Sequence, residues 1–502
     1  MREILINETT PLKKKQYYEN LFTIGIMISI NILLITVAVY IKDYSFQKWV
    51  FLFAAISIIQ FIINIFTLRK LEGKLFSLTI LFFIFSFITH LGIVIIFGFD
   101  IDIDLPWNPL LTISMTMFKD ASLFSLCSHL FLTLGMSLIL RNKPKISFSK
   151  PIDNESGIYQ LFLTKNIGAI FVLFGLLPML YIDFSKIIVY LNGNYLDTFQ
   201  LGLPGFLYIM SSFFDIGIIM VIIGNKRDEK KVLLILFLTT IYKGILMFTG
   251  GRGEPILYLL TLYFIYFNFI KTVKLKPLQI FSNLILIYTM GFFITFISQI
   301  RMMSINSIDT YMELFKSSFI DFSPFSIIAE FGSTIITLGI AMDYFSNIND
   351  FQYGLNYLYA LLNIFPNLGG ILDFTVSKSI YIYNFPIHLR TFLGGSYLGE
   401  IFYSFGYFGM IFTGFIGMAI SYISLKLNEF FIKQKYIKLS ILLILFPNIL
   451  WWTRAYFVDM VRDFVWISIC IIILTFLFKN YSYLMSPKNW LLGRVNNEKH
   501  TS

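Results

Sequence analysis

Charge is scarce in this chain. Of 502 residues, 29 are acidic and 39 are lysine or arginine, 14% charged in all, against 57% hydrophobic residues and a mean hydropathy of +0.75. A water-soluble domain of this length needs far more polar surface, so a soluble enzyme is excluded. Cysteine is almost missing. Cys127 and Cys470 both fall inside apolar runs, which leaves no disulfide framework and no thiolate metal site. Histidine is limited to His90, His129, His388 and His500, and only His388 lies outside both an apolar run and the tail. No metal and no cofactor are expected. The glycine-rich stretch at 250–253 lacks the lysine of a phosphate loop for nucleotides. The net charge of +10 does not point to nucleic acid, because the basic residues are dispersed in short connections between apolar runs.

Those runs fill the chain. They lie near residues 21–41, 49–68, 75–97, 121–140, 167–184, 205–224, 232–248, 256–270, 278–300, 405–425, 439–456 and 464–478, the eleventh interrupted by Pro447. Each is close to the roughly 20 residues that cross a bilayer. The first lacks a small-residue cleavage site and is expected to be retained. The fold class is therefore an all-α polytopic membrane protein of about twelve transmembrane helices, one integral membrane domain over 1–502. Lysines and arginines cluster on alternate connections, around Lys13–Lys15, Arg69–Lys74, Arg141–Lys145, Lys226–Lys231, Lys271–Lys276 and Lys426–Lys438. Positive charge marks the cytoplasmic side. Both termini are then cytoplasmic, and a long extracytoplasmic loop over 301–397 joins helices nine and ten. Residues 324–341 are apolar but carry Glu330, two glycines and several hydroxyls, and are expected to form a re-entrant or interfacial helix.

Between the seventh and eighth runs stands Thr249-Gly250-Gly251-Arg252-Gly253-Glu254-Pro255. Glycine lets a ligand approach the backbone, and arginine offers a planar fork of donors matched to phosphate. Pro255 suits the first turn of the next helix, whose unpaired N–H groups and dipole favour an anion. The plain alternative is a tight turn with Arg252 among lipid headgroups.

The long loop is rich in aromatics, among them Tyr344, Phe345, Tyr353, Phe365, Tyr381, Tyr383 and Phe385. They suit sugar stacking, or an interfacial belt. His388 suits a general base or is an exposed loop histidine. Leu393-Gly-Gly-Ser396-Tyr397-Leu-Gly-Glu400 leads into the tenth run, where Glu400 either complements the helix dipole or stands at the outer mouth of a cavity. Gly406, Gly409, Gly414 and Gly417 continue that helix and suit close packing. Lys243 lies inside the seventh run, free to snorkel or to pair with Glu330 or Glu400. Arg454, Asp459, Arg462 and Asp463 gather between the last two runs.

The hinge Gly250-Gly-Arg252-Gly-Glu254 resembles the G-x-R-G-E signature of the O-antigen polysaccharide polymerase (Wzy) family. The stretch from Leu393 through Ser396, Glu400 and Tyr403 to Gly409 is similar to that family's second signature. The resemblance implies a GT-C-like membrane glycosyltransferase in the bacterial cytoplasmic membrane, with its site facing outside. It would extend O-antigen, capsule or exopolysaccharide from polyprenyl-diphosphate-linked donor and acceptor units. A flippase and a chain-length regulator would be partners, besides membrane lipids. Arg252, Glu400 and His388 would be catalytic. Gly250, Gly251, Gly253, Glu254, Lys243, Arg301, Glu330, Arg390, Ser396, Tyr397, Tyr403 and Arg454 would bind substrate. Two other activities compete. An O-antigen ligase uses the same donor, and a lipid-linked oligosaccharide flippase would instead spread charges through mid-membrane and show an internal repeat.

Overall fold

The computed structural model describes residues 11–103, 108–141, 154–192, 197–198, 201–249, 251, 253–271, 288, 292–293, 296–297, 308–320, 323, 325–348, 351–365, 370–386, 390 and 393–484. The described residues are helical, with no strand among them. In chain order the helices are α1 (Pro11–Tyr40), α2 (Phe46–Glu72), α3 (Leu78–Gly98), α4 (Met115–Leu140), α5 (Glu155–Asn192), α6 (Gly205–Gly224), α7 (Glu229–Met247) and α8 (Gly253–Ile265). Then come α9 (Ile308–Ile320), α10 (Phe325–Gly332), α11 (Ile335–Ile348), α12 (Leu355–Leu362), α13 (Asp373–Ser379), α14 (Tyr397–Phe405), α15 (Gly409–Ile432), α16 (Tyr436–Trp452) and α17 (Phe457–Leu484). Among the described residues, 10 helical segments are long and apolar enough to cross a membrane. The ninth expected span, 278–300, lies outside the described residues but for a few positions.

The connections that are rich in lysine share one end of the bundle. Lys74 reaches Asn268 (2.8 Å) and Asn428 (3.0 Å), Lys226 lies over the rings of Phe431 and Tyr436, and Lys271 pairs with Glu229 at 2.8 Å. Asn20 donates to the Arg141 carbonyl, which brings the start of α1 to the same end. The starts of α8 and α17 and the end of α16 lie at the other ends of these helices.

The structure refines three sequence expectations. The tenth span does not run unbroken from Phe405 through Gly406, because Gly406 adopts φ +57° and closes α14, and a 3-10 turn over Gly406–Phe408 precedes α15. Left-handed φ carries little cost for glycine alone. Nor does Pro447 break its helix, since it is carried within α16. The segment expected to re-enter the membrane is two helices, α10 and α11, separated at Ser333–Thr334. Each is shorter than a bilayer requires, although the joined segment 325–348 has the length and apolarity of a span. Its first half crosses α3, with Gly332 against the Ile93 backbone and Ile328 against Gly92.

Helices α4 and α15 meet through glycine. A Cβ on Gly135 would stand 1.9 Å from the Gly414 carbonyl oxygen, and one on Gly417 would stand 2.2 Å from the Leu132 oxygen. Small residues permit such approach where lipid gives helices no hydrophobic reason to associate. Gly135→Val should force the pair apart, destabilising the fold by roughly 1–3 kcal/mol or more. The expected result is a lower unfolding temperature in detergent and less protein in the membrane; an unchanged melting curve would refute the tight crossing.

Candidate active site

The second signature begins in mid-bundle. The Tyr397 hydroxyl lies 2.6 Å from Ser86 Oγ, and Ser396 Oγ lies 2.8 Å from His90 Nε2. Ser86 and His90 are central in α3, so α14 starts level with the middle of a span rather than at its mouth. Ser396 is its N-cap: the hydroxyl accepts from the Gly399 N–H at 3.1 Å, satisfying a helix-end donor. One turn further, Glu400 is wholly buried. Trp452 Nε1 donates to its Oε2 at 2.9 Å, and the Phe457 N–H lies 3.3 Å from both oxygens. Glu400 thus clamps the turn between α16 and α17 to α14, instead of standing open at a cavity mouth.

The first signature reaches the same turn from the other side. Gly253 packs on Trp451, where a Cβ would stand 2.6 Å from the indole. Trp451 and Trp452 are neighbours, so the hinge and Glu400 touch adjacent indoles. Glu254 is exposed at the start of α8, close enough to Asp183, Asp215 and Asp463 to repel them. Gly251 is half-buried. Gly250, Arg252, Arg301 and His388 lie outside the described residues.

Arg454 belongs to this turn. Its guanidinium lies 5.5 Å over the Phe331 ring, next in sequence to Glu330, and its side chain stands beside Gly394. Gly395 packs on the Ala455 backbone, and Thr337 donates to the Gly394 carbonyl at 3.0 Å. Arg454 therefore stands beside the second signature, three residues after the indole on which Gly253 packs, and the half-buried Glu330 precedes the ring that the guanidinium covers. Arg390 is exposed, and its Nε donates to the Phe385 carbonyl at 2.6 Å. Ser396, Tyr397 and Tyr403 are fully buried, with protein groups on their hydroxyls: His90, Ser86 and Asn384.

Lys243 pairs with neither Glu330 nor Glu400. Its Nζ lies 2.8 Å from Asp215 Oδ2 on α6 and 4.8 Å from the Tyr258 ring centre. Tyr258 donates to the Asp215 carbonyl, and Tyr242 donates to Asp183. The ammonium is already neutralised beside the hinge. Lys243→Met should leave the Asp215 carboxylate uncompensated and cost about 3–5 kcal/mol, whereas the double change Lys243→Met with Asp215→Leu should recover most of it. Thermal unfolding in detergent reads both, and a single variant as stable as the double one would deny the pairing.

The loop aromatics divide. Phe345, Tyr381 and Phe385 are buried against one another and Tyr403, forming core, while Tyr353, Phe365 and Tyr383 are exposed. An apolar cavity of about 350 Å³ adjoins the Glu400 clamp, walled by Tyr357, Ile401, Phe405, Trp452, Phe457 and Met460 among others. Desolvation, then the charge of Glu400, push the Tyr357 phenol well above its ordinary pKa, which keeps it a neutral hydroxyl.

The comparisons with known proteins give the family. The model of the O-antigen polysaccharide polymerase Wzy family matches residues 22–485. The chain belongs to that family. Protein CapE of Staphylococcus aureus is a relative, 26% identical over 354 residues, covering 69% of this chain and 73% of its own length. No solved structure matches. The chain is thus a multi-pass membrane polymerase that joins repeat units into O-antigen- or capsule-type polysaccharide. The turn Trp451–Tyr456, where the two signatures meet, carries no glycine-rich signature. Its adjacent tryptophans before Arg454 were the only sequence signal that could have marked it.

Proposed function

We propose that the polymerase transfers a growing glycan from one polyprenyl diphosphate to a second lipid-linked repeat unit, on the outer face of the cytoplasmic membrane. The observation that carries this reading is the meeting of the two signatures on adjacent indoles, Gly253 on Trp451 and Glu400 on Trp452. The gathering of the basic connections at the opposite end supports the outward face.

In this reading the acceptor hydroxyl forms a new bond to the anomeric carbon of the donor. The anomeric carbon–oxygen bond breaks, and polyprenyl diphosphate leaves with the electron pair. Arg252 and the N-terminus of α8 stabilise the charge gathering on that leaving group. Arg454, beside Gly394 of the second signature, is the second cation, with Arg301 and Arg390 as further candidates. Glu400, whose two oxygens are occupied by donors, organises the turn that carries Arg454. That leaves His388 to take the hydroxyl proton, a role that a His388→Gln enzyme extending chains at the normal rate would remove. The apolar cavity beside Glu400 suits a stretch of isoprenoid chain. A flippase supplies the donor from the inner leaflet, and a chain-length regulator acts on the product.

The test is extension by the purified protein in proteoliposomes, given polyprenyl-diphosphate-linked repeat units from cells lacking the polymerase. A ladder of lipid-linked products with release of polyprenyl diphosphate is expected. A single transfer to a different acceptor would favour a ligase, and lipid translocation without extension a transporter.

A further inference from the structure

His90 and His129 are buried in spans α3 and α4, and neither belongs to the two signatures. Both are fully enclosed and every ring nitrogen has a partner. His90 Nδ1 lies 2.9 Å from the Ser86 carbonyl oxygen, and Nε2 lies 2.8 Å from Ser396 Oγ. His129 Nδ1 lies 2.6 Å from the Ser125 carbonyl oxygen, and Nε2 lies 3.0 Å from Ser86 Oγ. A carbonyl accepts only, so each Nδ1 carries the hydrogen and each Nε2 of a neutral ring is a bare acceptor. The directions of the remaining bonds follow from these assignments. Ser396 donates its hydroxyl hydrogen to His90 and accepts from the Gly399 N–H. Ser86 donates to His129 and accepts from the Tyr397 hydroxyl. Every donor in the chain then meets an acceptor.

The two histidines therefore fix the first two residues of the region that opens α14, from two different helices. In apolar surroundings an unpaired hydroxyl or ring nitrogen is costly, so this network permits one placement of the helix start and penalises others. Glu400 follows one turn later and fixes the α16–α17 turn.

We propose that His90 is a positioning residue for polymerisation. Through its bond to the Ser396 cap it sets where α14 begins, and through Glu400 it sets where the Trp451–Tyr456 turn presents Arg454. His129, through Ser86 and Tyr397, supports the same placement. The proposal rests on the reading of that turn as part of the active site.

The experiment measures kcat and KM for extension of the native lipid-linked repeat unit in proteoliposomes, at matched amounts of folded protein. The variants are His90→Ala, His90→Gln, Ser396→Ala and the double His90→Ala/Ser396→Ala. A displacement on the order of an ångström lowers rate about 100-fold. A fall in kcat of roughly tenfold to 100-fold in each alanine variant is expected, with KM little changed and no further loss in the double variant. His90→Gln, whose amide oxygen can still accept from Ser396, should recover most of the rate. The proposal is overturned by an undiminished kcat in His90→Ala, by additive losses in the double variant, or by a His90→Gln no better than alanine. It is also overturned if the lost rate tracks only loss of folded protein. Glu400→Ala is measured alongside. Normal extension in that variant means that the reading of the turn has failed, whereas its loss together with an unaffected His90→Ala means that only the positioning role has failed.

Discussion

Cells whose only polymerase carries Arg252→Ala are expected to display single repeat units and no ladder, at normal protein levels. The hinge places that side chain between Gly251 and Gly253, just before α8. Gly253 is pressed on Trp451, which anchors the hinge to the same turn that Glu400 holds. In the proposed reaction a guanidinium there would meet the diphosphate as its charge grows, which is where a fixed donor has most effect on rate. Losing one such group typically costs about 10²–10³-fold in kcat. Arg252→Lys keeps the charge but replaces the planar fork by a point charge, so it should recover only part of the rate. The measurement is the length profile of surface polysaccharide. An unchanged ladder would reduce the hinge to a turn. Lipid-linked repeats trapped in the inner leaflet would instead favour a transporter.

Glu400 is expected to separate two roles by a comparison of alanine with glutamine. Glu400→Ala leaves the Trp452 indole N–H and the Phe457 N–H without an acceptor in a buried site, at about 1–3 kcal/mol for each. The turn should lose its place and extension should collapse. Glu400→Gln retains one acceptor oxygen for the indole or the backbone, so a clamp survives in part and a substantial fraction of the rate with it. A general base would give another pattern: glutamine would fail as completely as alanine, by about 10²–10⁴-fold. Initial extension rates of the two variants at matched amounts of folded protein decide this, and equal losses would sink the clamp.

The membrane class was legible because composition and run length are global properties that no local packing detail can undo. The two signatures were legible because glycine, arginine and glutamate are costly between apolar runs and therefore stand out. What joins them was not. Trp451 and Trp452 look like interfacial anchors in sequence, and only their opposite contacts, Gly253 and Glu400, show them as a bridge. His90 and His129 read as solitary residues within spans, because their partners Ser396 and Ser86 belong to other helices or are common hydroxyls. Lys243 was visible as a buried cation, yet 28 positions separate it from Asp215, and sequence spacing across two helices carries no pairing information. The break at Gly406 was hidden because glycine in an apolar helix serves close packing as readily as termination. Gly414 and Gly417 do the former and Gly406 the latter.

The contact between Gly253 and Trp451 has a bearing on how such chains diverge. The space at position 253 is set by an indole nearly two hundred residues later in the chain, outside both signatures. A methyl group at 253 requires the Trp451 ring to shift or residue 451 to be smaller, and a smaller residue at 451 leaves a gap beside 253. Substitutions at the two positions are therefore expected to be coupled, and the room at the hinge's last glycine is set by a tryptophan outside both signatures.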